Sequence, residues 1–166
     1  MTETQKHIQV TVSRGAFAGN IRALRDMLAP ASLCVVMKSN AYGHGLEALV
    51  PTAVEAGADC LGICTNGEAA VIRRRYPSQR VMRLRPALAD ELEESVERLG
   101  VEEIVGSLPV AEFLSGLGRR RGRPVDVHVK IDTGMGRTGF LVEDGESVRR
   151  VCAMGGLRVR GIMTHL

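Results

Sequence analysis

Short apolar runs typical of β-strands alternate with helical patterns along almost the whole chain. The strand-like runs are HIQVTV (7–12), LCVVMK (33–38), DCLGIC (59–64), RVMRL (80–84), EEIVGS (102–107), VDVHVKI (125–131) and LRVRGIMTH (157–165). Apolar residues at helical spacing lie between several of them: Phe17, Ile21, Leu24 and Leu28; Leu88, Leu92, Val96 and Leu99; and Val148, Val151 and Cys152. Regular alternation of strand and helix predicts βαβ units around a parallel sheet.

Two of the predicted helices begin with the sequence signature of a capping box. Thr65 is followed three residues later by Glu68, and Asp90 is followed three residues later by Glu93. We therefore expect helices to begin directly after Thr65 and after Asp90.

Two architectures fit the alternation: an open, doubly wound sheet and part of a (β/α)8 barrel. No G-x-G-x-x-G motif opens a helix after an early strand, which disfavours the dinucleotide-binding form of the open sheet. A complete barrel needs about 200 residues or more, and this chain of 166 residues ends directly after its last strand-like run. We therefore predict an α/β protein, an incomplete TIM-type (β/α)8 barrel with about six of the eight β/α units.

Charge and aromatic content bear on the choice of partner. The formal net charge of +3 is too small to indicate nucleic acid or a membrane surface. The arginine clusters at 73–75 and 118–123 fall where helices are expected to end, and positive charge there complements the helix dipole. Only 3% of the residues are aromatic and able to stack on bases. The sequence therefore predicts no nucleic-acid partner.

Apolar runs and cysteine spacing indicate the cellular location. The amino terminus lacks the apolar stretch of a signal peptide, and no apolar run approaches the ~18 residues that a membrane span requires. The four cysteines, Cys34, Cys60, Cys64 and Cys152, lie in apolar segments without the spacing of zinc ligands. We expect reduced thiols in the core, no metal site, no membrane partner and a cytoplasmic location.

Polar residues stand at the carboxyl ends of the predicted strands, where the active site of a (β/α)8 barrel lies. They are Lys38, Thr65, Arg83, Arg85, Ser107, Lys130, Thr164 and His165. Such a cationic and hydroxyl-rich rim suits an anionic ligand such as a phosphate or a carboxylate. For any single residue, the alternative is that the strand end is polar because it meets solvent.

The run VDVHVKID (125–132) divides into an apolar and a polar face. The residues at 125, 127, 129 and 131 are apolar and lie on one side of the strand, whereas Asp126, His128, Lys130 and Asp132 lie on the other. If the apolar side packs under helices, the polar side points into the barrel. For His128 we favour a hydrogen-bonded interior histidine over a catalytic one, and a buried Lys130 requires a partner or a chemical modification.

Lys38 ends an apolar run and is followed by a glycine-rich turn at 40–45. An amine in such a place is a candidate nucleophile that forms a Schiff base with a carbonyl compound or with pyridoxal phosphate. The glycines of the turn allow the backbone to approach a ligand, and the Tyr42 hydroxyl is placed to hold a phosphate oxygen.

Three motifs together carry a resemblance to a known family. VVMKSNAYGHG (35–45), VKIDTGMGRTGF (129–140) and GIMTHL (161–166) resemble the N-terminal barrel domain of alanine racemases, fold type III enzymes that depend on pyridoxal phosphate. The resemblance extends from about residue 8 to residue 166, with the motifs in the order and at the approximate spacing of the family. It implies one domain over residues 1–166, a partial barrel that binds pyridoxal 5'-phosphate.

The resemblance also implies roles for individual residues. Lys38 matches the lysine that forms the Schiff base with the cofactor and acts as one of two bases at the substrate Cα. Tyr42 matches the tyrosine that binds the cofactor phosphate, and His165 matches a histidine beside the pyridine ring. Lys130 matches a lysine often carbamylated in the family, where it orients the arginine matched by Arg137. That arginine contacts the phenolic oxygen of the cofactor and places the substrate carboxylate.

The substrate is less determined than the reaction. Alanine is the substrate that the resemblance implies, but the R-x-R at Arg83 and Arg85 is similar to that of broad-spectrum amino-acid racemases. Arginines near the site would admit larger or more polar amino acids, and Met135 is a third candidate on the substrate side. The alternative for Arg83 and Arg85 is that they are solvated or paired with glutamates. A related decarboxylase or dehydratase is disfavoured by the DTGMGRTGF motif (132–140).

The second base of the family is a tyrosine in a C-terminal β domain, reaching the site from the partner subunit of a homodimer. We expect this domain and the last two barrel strands to be absent from residues 1–166, as in a fragment, a truncated gene product or a degraded copy. The implied reaction is interconversion of L- and D-alanine, which supplies D-alanine for peptidoglycan. We expect residues 1–166 alone to fall well below the ~10 per second of a median enzyme, and a cofactor-binding remnant is the non-enzymatic alternative.

Overall fold

Helices and strands alternate along residues 9–166, the part of the chain that the computed structural model describes. The strands are β1 (Cys34–Val36), β2 (Cys60–Ile63), β3 (Arg80–Arg83), β4 (Glu103–Val105), β5 (Val125–Asp132), β6 (Phe140–Leu141) and β7 (Leu157–Met163). The helices are α1 (Arg14–Leu28), α2 (Lys38–Tyr42), α3 (Leu46–Glu55), α4 (Asn66–Arg75), α5 (Ala89–Glu94), α6 (Leu108–Arg120) and α7 (Gly145–Cys152). A π-helical turn, Ser95–Leu99, continues α5.

All the strand pairs are parallel. β1 pairs with β2 and β2 with β3, while β5 lies between β4 and β7. A single parallel bridge between Met82 and Glu102 joins β3 to the start of β4. The two-residue β6 continues the β4 edge beside the end of β5, where Ile131 is the partner of Phe140. Six parallel strands with helical crossovers confirm the predicted partial barrel, and within residues 9–166 β1 and β7 are its edges.

One face of the sheet is covered by helices. Two clusters of buried apolar residues lie there, one over β1–β3 and one over β4, β5 and β7. Their fully buried members are Ala53, Leu61, Ile63, Ala69, Ile72 and Val81 in the first, and Val105, Ala111, Leu114, Val127, Val129 and Val151 in the second. The apolar side of β5 therefore packs under helices, as the sequence predicts, and the alternate residues point into the barrel.

Three charged or titratable side chains meet inside the barrel across β3, β4 and β5. Glu102 accepts hydrogen bonds from Arg80 Nε at 2.8 Å and pairs with His128 Nε2 at 2.7 Å. Burial alone would raise the pKa of Glu102, but the hydrogen bonds to His128 and Arg80 outweigh it and lower the pKa to about 2. The interpretation of His128 as a hydrogen-bonded interior histidine is confirmed.

A second ion pair is buried on the helix-covered face. Arg83 Nε lies 2.7 Å from Glu103 Oε2, and both side chains are at most 1% exposed. The Arg83 guanidinium also donates to Asn66 Oδ1 and to the Cys64 carbonyl, and Ser95 Oγ binds the Glu103 carboxylate. Every polar atom in this cluster has a partner. Arg83 is thus part of the packing between sheet and helices.

Several sequence predictions differ from the structure. Residues 9–12 form no strand, because no described strand lies beside them to supply hydrogen bonds, and residues 7–8 lie outside the described part of the chain. Leu24 and Leu28 are 46% and 44% exposed, and α1 instead buries Ala18 and Ile21. The capping box of Thr65 and Glu68 is confirmed.

The start of α5 is also different. The N-cap is Leu88 rather than Asp90, and the Leu88 N–H donates to Glu91 rather than to Glu93. The helix begins two residues early because Glu91, held by Arg85, is in place to accept that N–H.

The cysteines are all free thiols, but only Cys60 is buried. Cys34 and Cys64 are half-buried, and Cys152 is exposed because α7 turns Val148 and Val151 to the core instead. Arginines lie in the last turns of α4 and α6, as expected for the two basic clusters. No helix in residues 9–166 has the length and apolar content to cross a membrane.

The two arginines of the R-x-R give a stability prediction. Arg83→Met leaves Glu103 buried without a cation, and we expect the free energy of unfolding to fall by about 3–5 kcal/mol. Arg85→Met is the matched control, because the pair between Arg85 and Glu91 is 36% and 27% exposed, and we expect a loss below about 1 kcal/mol. Urea denaturation of both variants measures the difference, and equal losses would contradict the buried pair.

Candidate functional site

Lys38 follows the end of β1 and opens α2 at the carboxyl end of the parallel sheet. Its side chain is half-buried, and its Nζ lies 5.7 Å from the centre of the Tyr42 ring. Among residues 9–166 the amine has no hydrogen-bond or ion-pair partner within the protein. A half-buried amine without a partner, beside a phenol, is available to an external ligand.

The turn that carries Lys38 is left-handed. Ser39, Asn40, Ala41 and Tyr42 have φ angles of 53° to 56°, and Gly43 follows at 82°. For residues other than glycine, this conformation costs roughly 1–2 kcal/mol each. Four in succession persist only where the surrounding structure holds them, and such strain is concentrated at functional sites. The sequence indicates a turn here through its glycines but gives no sign that the preceding residues are left-handed.

Several contacts hold the turn in place. Met37 and Ala41 are buried in the first apolar cluster, and the Ala41 N–H donates to the Met37 carbonyl at 2.8 Å. Asn40 Oδ1 accepts the N–H of Leu46 at 2.7 Å and so caps the start of α3. Asn40 therefore serves the geometry of the turn.

Glu68, in the first turn of α4, also holds this segment. Its Oε1 accepts the N–H groups of Ser39 at 2.6 Å and Asn40 at 3.4 Å. Its Oε2 accepts those of Cys64 at 2.8 Å and Thr65 at 3.1 Å. One carboxylate thereby connects the segments that follow β1 and β2. Sequence reasoning found the contact to Thr65 and missed the contact to the lysine turn, 29 residues away in the chain.

Lys130 lies near the end of β5 and is buried, with a relative exposure of 4%. Its amine donates to the Ile131 carbonyl at 3.1 Å, its sole hydrogen bond among the described residues. A buried ammonium with so little compensation is costly. The environment thus fits the sequence expectation that this lysine is paired or chemically modified.

The loop after β5 is folded around Asp132. Its carboxylate accepts the N–H groups of Gly134 and Gly136, each at 3.0 Å, and these hydrogen bonds lower the pKa of Asp132. Met135 and Arg137 lie in this loop with exposed side chains. The loop thereby presents an arginine and a methionine at the carboxyl end of the sheet.

The close of this loop is too tight for a side chain. Gly139 packs so closely that an added Cβ would lie 2.6 Å from the Asp132 nitrogen, and its φ is 131°. Only glycine satisfies both conditions.

The end of β7 is tied to the same loop. Thr164 Oγ1 lies 2.7 Å from Thr133 Oγ1, and His165 follows with an exposed ring. Because all the strands are parallel, Lys38, Lys130, Arg137 and His165 belong to one end of the sheet.

The structure does not place the R-x-R arginines in this group. The prediction of Arg83 on the substrate side is wrong, because its side chain points to the helices and its guanidinium is paired with Glu103. Arg85 binds the Glu91 carboxylate and the Pro86 carbonyl, so its guanidinium is occupied as well. Both follow the alternative of pairing with glutamates.

The arrangement has a counterpart among known proteins. Residues 12–166 match the family model described as the N-terminal domain of alanine racemase. The chain belongs to the alanine racemase N-terminal domain family. A broad specificity amino-acid racemase of Aeromonas hydrophila is 36% identical over 169 residues, which cover 98% of this chain and 41% of that protein.

Solved structures of alanine racemases share the fold of this domain. The enzyme from a D-cycloserine-producing Streptomyces lavendulae superposes with a TM-score of 0.83 at 30% identity, over 92% of this chain and 41% of that one. An alanine racemase of Bartonella henselae with covalently bound pyridoxal phosphate has a TM-score of 0.81 at 23% identity, over 93% and 44%. The chain spans about two fifths of the length of these racemases.

The strain in the lysine turn is measurable. Ser39→Gly removes the conformational penalty of an exposed left-handed residue, and we expect the free energy of unfolding to rise by about 0.5–1 kcal/mol. Ala23→Gly, at an exposed position in the right-handed helix α1, is expected to lower it by about 1 kcal/mol. Urea denaturation tests the opposite signs, and destabilisation by Ser39→Gly would show that the turn is unstrained.

Proposed function

We propose that this chain is the cofactor-binding barrel of an amino-acid racemase that holds pyridoxal 5'-phosphate through Lys38. The observation that carries the proposal is the unpartnered amine of Lys38 on its strained turn, at the carboxyl end of a barrel of the alanine racemase family. Strained backbone of this kind is concentrated at functional sites. A ligand that reacts with the amine supplies a reason for it.

The donor set fits the cofactor. An aldehyde requires an amine, which Lys38 offers, and a phosphate suits a hydroxyl such as that of Tyr42, on the same turn. Tyr42 is 60% exposed and is open to an incoming group. His165 follows β7 at the same end of the sheet and would lie against the pyridine ring. Pyridoxal phosphate supplies an electron sink that acidifies the Cα proton of an attached amino acid.

The residues of this chain then perform one half of the proton exchange. With the cofactor bound, the Lys38 amine would take the substrate Cα proton from one face or return it there. Return from the face opposite to removal inverts the stereocentre, so two bases interconvert the L and D forms. The second base would come from residues other than 1–166, as the family resemblance implies.

Arg137 is proposed to bind the substrate carboxylate and the phenolic oxygen of the cofactor. Its side chain is exposed and makes no hydrogen bond or ion pair with the described residues, so its guanidinium is available for bidentate contacts. Lys130 is proposed to be carbamylated. The reaction joins the neutral amine to carbon dioxide and releases a proton, which replaces a buried cation by an anion able to orient Arg137.

The substrate is proposed to be a small amino acid, with alanine first. Because Arg83, at the end of β3, and Arg85, just after it, are both paired with glutamates, neither guanidinium is free to select a larger polar side chain. The broad specificity of the Aeromonas relative favours a wider range as the second candidate. Met135, exposed on the β5 loop, is the remaining residue proposed on the substrate side.

The wider context rests on the family resemblance. A homodimer, a role in D-alanine supply for peptidoglycan and a cytoplasmic location stay predictions, as does the assignment of residues 1–166 to a single domain without the C-terminal β domain. A cofactor-binding chain without turnover is the alternative function. It is recognised by attachment of the cofactor to Lys38 without formation of D-amino acids.

Attachment of the cofactor to Lys38 is directly testable, because the sequence has only three lysines, Lys6, Lys38 and Lys130. Amine and aldehyde condense to a carbon–nitrogen double bond with loss of water, and borohydride reduces that bond to a stable secondary amine. We expect peptide mass spectrometry to find the pyridoxyl phosphate group on Lys38. Lys38→Arg should reduce the label at this position to background.

Lys6→Arg is the matched control and should leave the labelling of Lys38 unchanged. Equal labelling of Lys6, the amino terminus and Lys38 in the unaltered chain would show that the cofactor reacts with any amine, which would contradict the proposal.

Carbamylation of Lys130 gives a second test. In isotope-labelled bicarbonate, we expect the protein to show a carbamate carbon resonance that Lys130→Met removes, because the buried ammonium has no carboxylate partner and the carbamate anion can pair with Arg137. Lys38→Arg should retain the resonance. A spectrum without a carbamate signal in the unaltered chain would leave Lys130 as a buried ammonium and would overturn this assignment.

A further inference from the structure

The carboxylate of Glu68 is placed at the one point where the strained lysine turn meets a second strand end. Ser39 and Asn40, whose N–H groups it accepts at 2.6 and 3.4 Å, are the first two left-handed residues and directly follow Lys38. Its other oxygen is fixed by the N–H groups of Cys64 and Thr65, at the end of β2. The carboxylate is therefore anchored to a rigid strand and holds the backbone that aims the lysine.

An ordinary capping box accounts for only part of these contacts. A glutamate at the third helical position reaches back to the N-cap N–H, and Glu68 does this with Thr65. Glu91 of α5 occupies the equivalent position and binds the Leu88 N–H, but its carboxylate turns to Arg85 and touches no residue of the lysine turn. The contacts to Ser39 and Asn40 are thus additional to helix capping, and of these two capping glutamates Glu68 makes them and Glu91 does not.

Hydrogen bonds from N–H groups to a carboxylate are stronger than neutral ones and favour the geometry in which both donors converge on one oxygen. Successive N–H groups converge in this way when the backbone is in a helical turn, and here the turn is left-handed. The carboxylate thus stabilises the left-handed conformation, which the side chains of residues 39–42 disfavour. Loss of the carboxylate would release the turn without removing any atom of Lys38.

We propose that Glu68 is a positioning residue for the Lys38 amine, acting through the backbone of the left-handed turn. The part of this inference that concerns cofactor attachment rests on the proposed function. The part that concerns the turn does not, since it is a property of the unliganded protein.

The first measurement is amide hydrogen exchange in the protein without cofactor. Glu68→Gln removes the negative charge from all these hydrogen bonds and replaces one acceptor oxygen by an NH2 group, so the hydrogen bonds to Ser39 and Asn40 are weakened or lost. We expect exchange at Ser39 and Asn40 to accelerate by about tenfold or more, with no such change in Glu91→Gln. Glu91→Gln is the matched control, because it makes the same substitution at the same position of the neighbouring helix. Unchanged exchange at both amides of the turn in Glu68→Gln and in Glu68→Ala would overturn the proposal.

The second measurement is the apparent dissociation constant of pyridoxal phosphate, read from borohydride-trapped label on Lys38. We expect Glu68→Ala to weaken attachment by about tenfold and Glu91→Gln to change it less than about twofold. Equal weakening in the two variants would show a general loss of stability and would overturn the positioning role.

The decisive variant is the double substitution Glu68→Ala with Ser39→Gly. Glycine adopts the left-handed conformation without a penalty, so it should restore part of the lost attachment, by about threefold or more. A role of Glu68 confined to helix capping predicts no rescue, because Ser39 is not part of α4.

The two proposals fail in different ways. If the unaltered chain does not attach pyridoxal phosphate at Lys38, the proposed function is wrong, while faster exchange at Ser39 and Asn40 in Glu68→Gln would still support the positioning of the turn. If attachment is normal and exchange is unaffected by Glu68→Ala, the inference about Glu68 is wrong and the proposed function stands.

Discussion

Each parallel strand has to bury one face under helices, and the pleat of the strand then sends the alternate residues into the barrel. This constraint determines at which end of the sheet the proposed site residues lie. On β5 it places the valines under α6 and α7 and directs His128 and Lys130 inward. Because all the strands run in one direction, the residues that follow them meet at one end. Lys38 reaches that end from a segment 99 residues before Arg137 and 127 residues before His165.

The same alternation arranges two layers of charge around β4. Glu102 and Glu103 are neighbours in the chain and are both buried, yet they point to opposite faces of the sheet. Each takes an arginine from β3, Arg80 inside the barrel and Arg83 beneath the helices. A slip of one residue between β3 and β4 would exchange the two faces and leave both carboxylates without a cation. The ion pairs on the two faces of the sheet therefore both specify the register of β3 against β4. The backbone contributes only a single bridge to this pairing, from Met82 to Glu102.

How much the sequence predicts depends on the range of the interaction. The barrel, the valine face of β5 and the capping box of Glu68 follow from local periodicity, and all are confirmed. The direction of Arg83 was open to the same reasoning, because it lies two residues after the buried Val81 and so shares its face. The left-handed turn could not be predicted in this way, because residues 39–42 are of types that also occur at the start of an ordinary right-handed helix. One of the contacts that hold it is with a carboxylate 29 residues away, and contacts of that range have no local signal.

Most basic residues of this chain are arginines, and few are lysines. Of 22 lysines and arginines, three are lysines. Arginines occupy the described ion pairs with Glu102, Glu103 and Glu91 and the last turns of α4 and α6. A guanidinium stays protonated and does not condense with aldehydes under ordinary conditions. The ion pairs and helix ends are thus supplied by cations that are inert toward carbonyl compounds, and the proposed nucleophile Lys38 has few competing amines in the sequence.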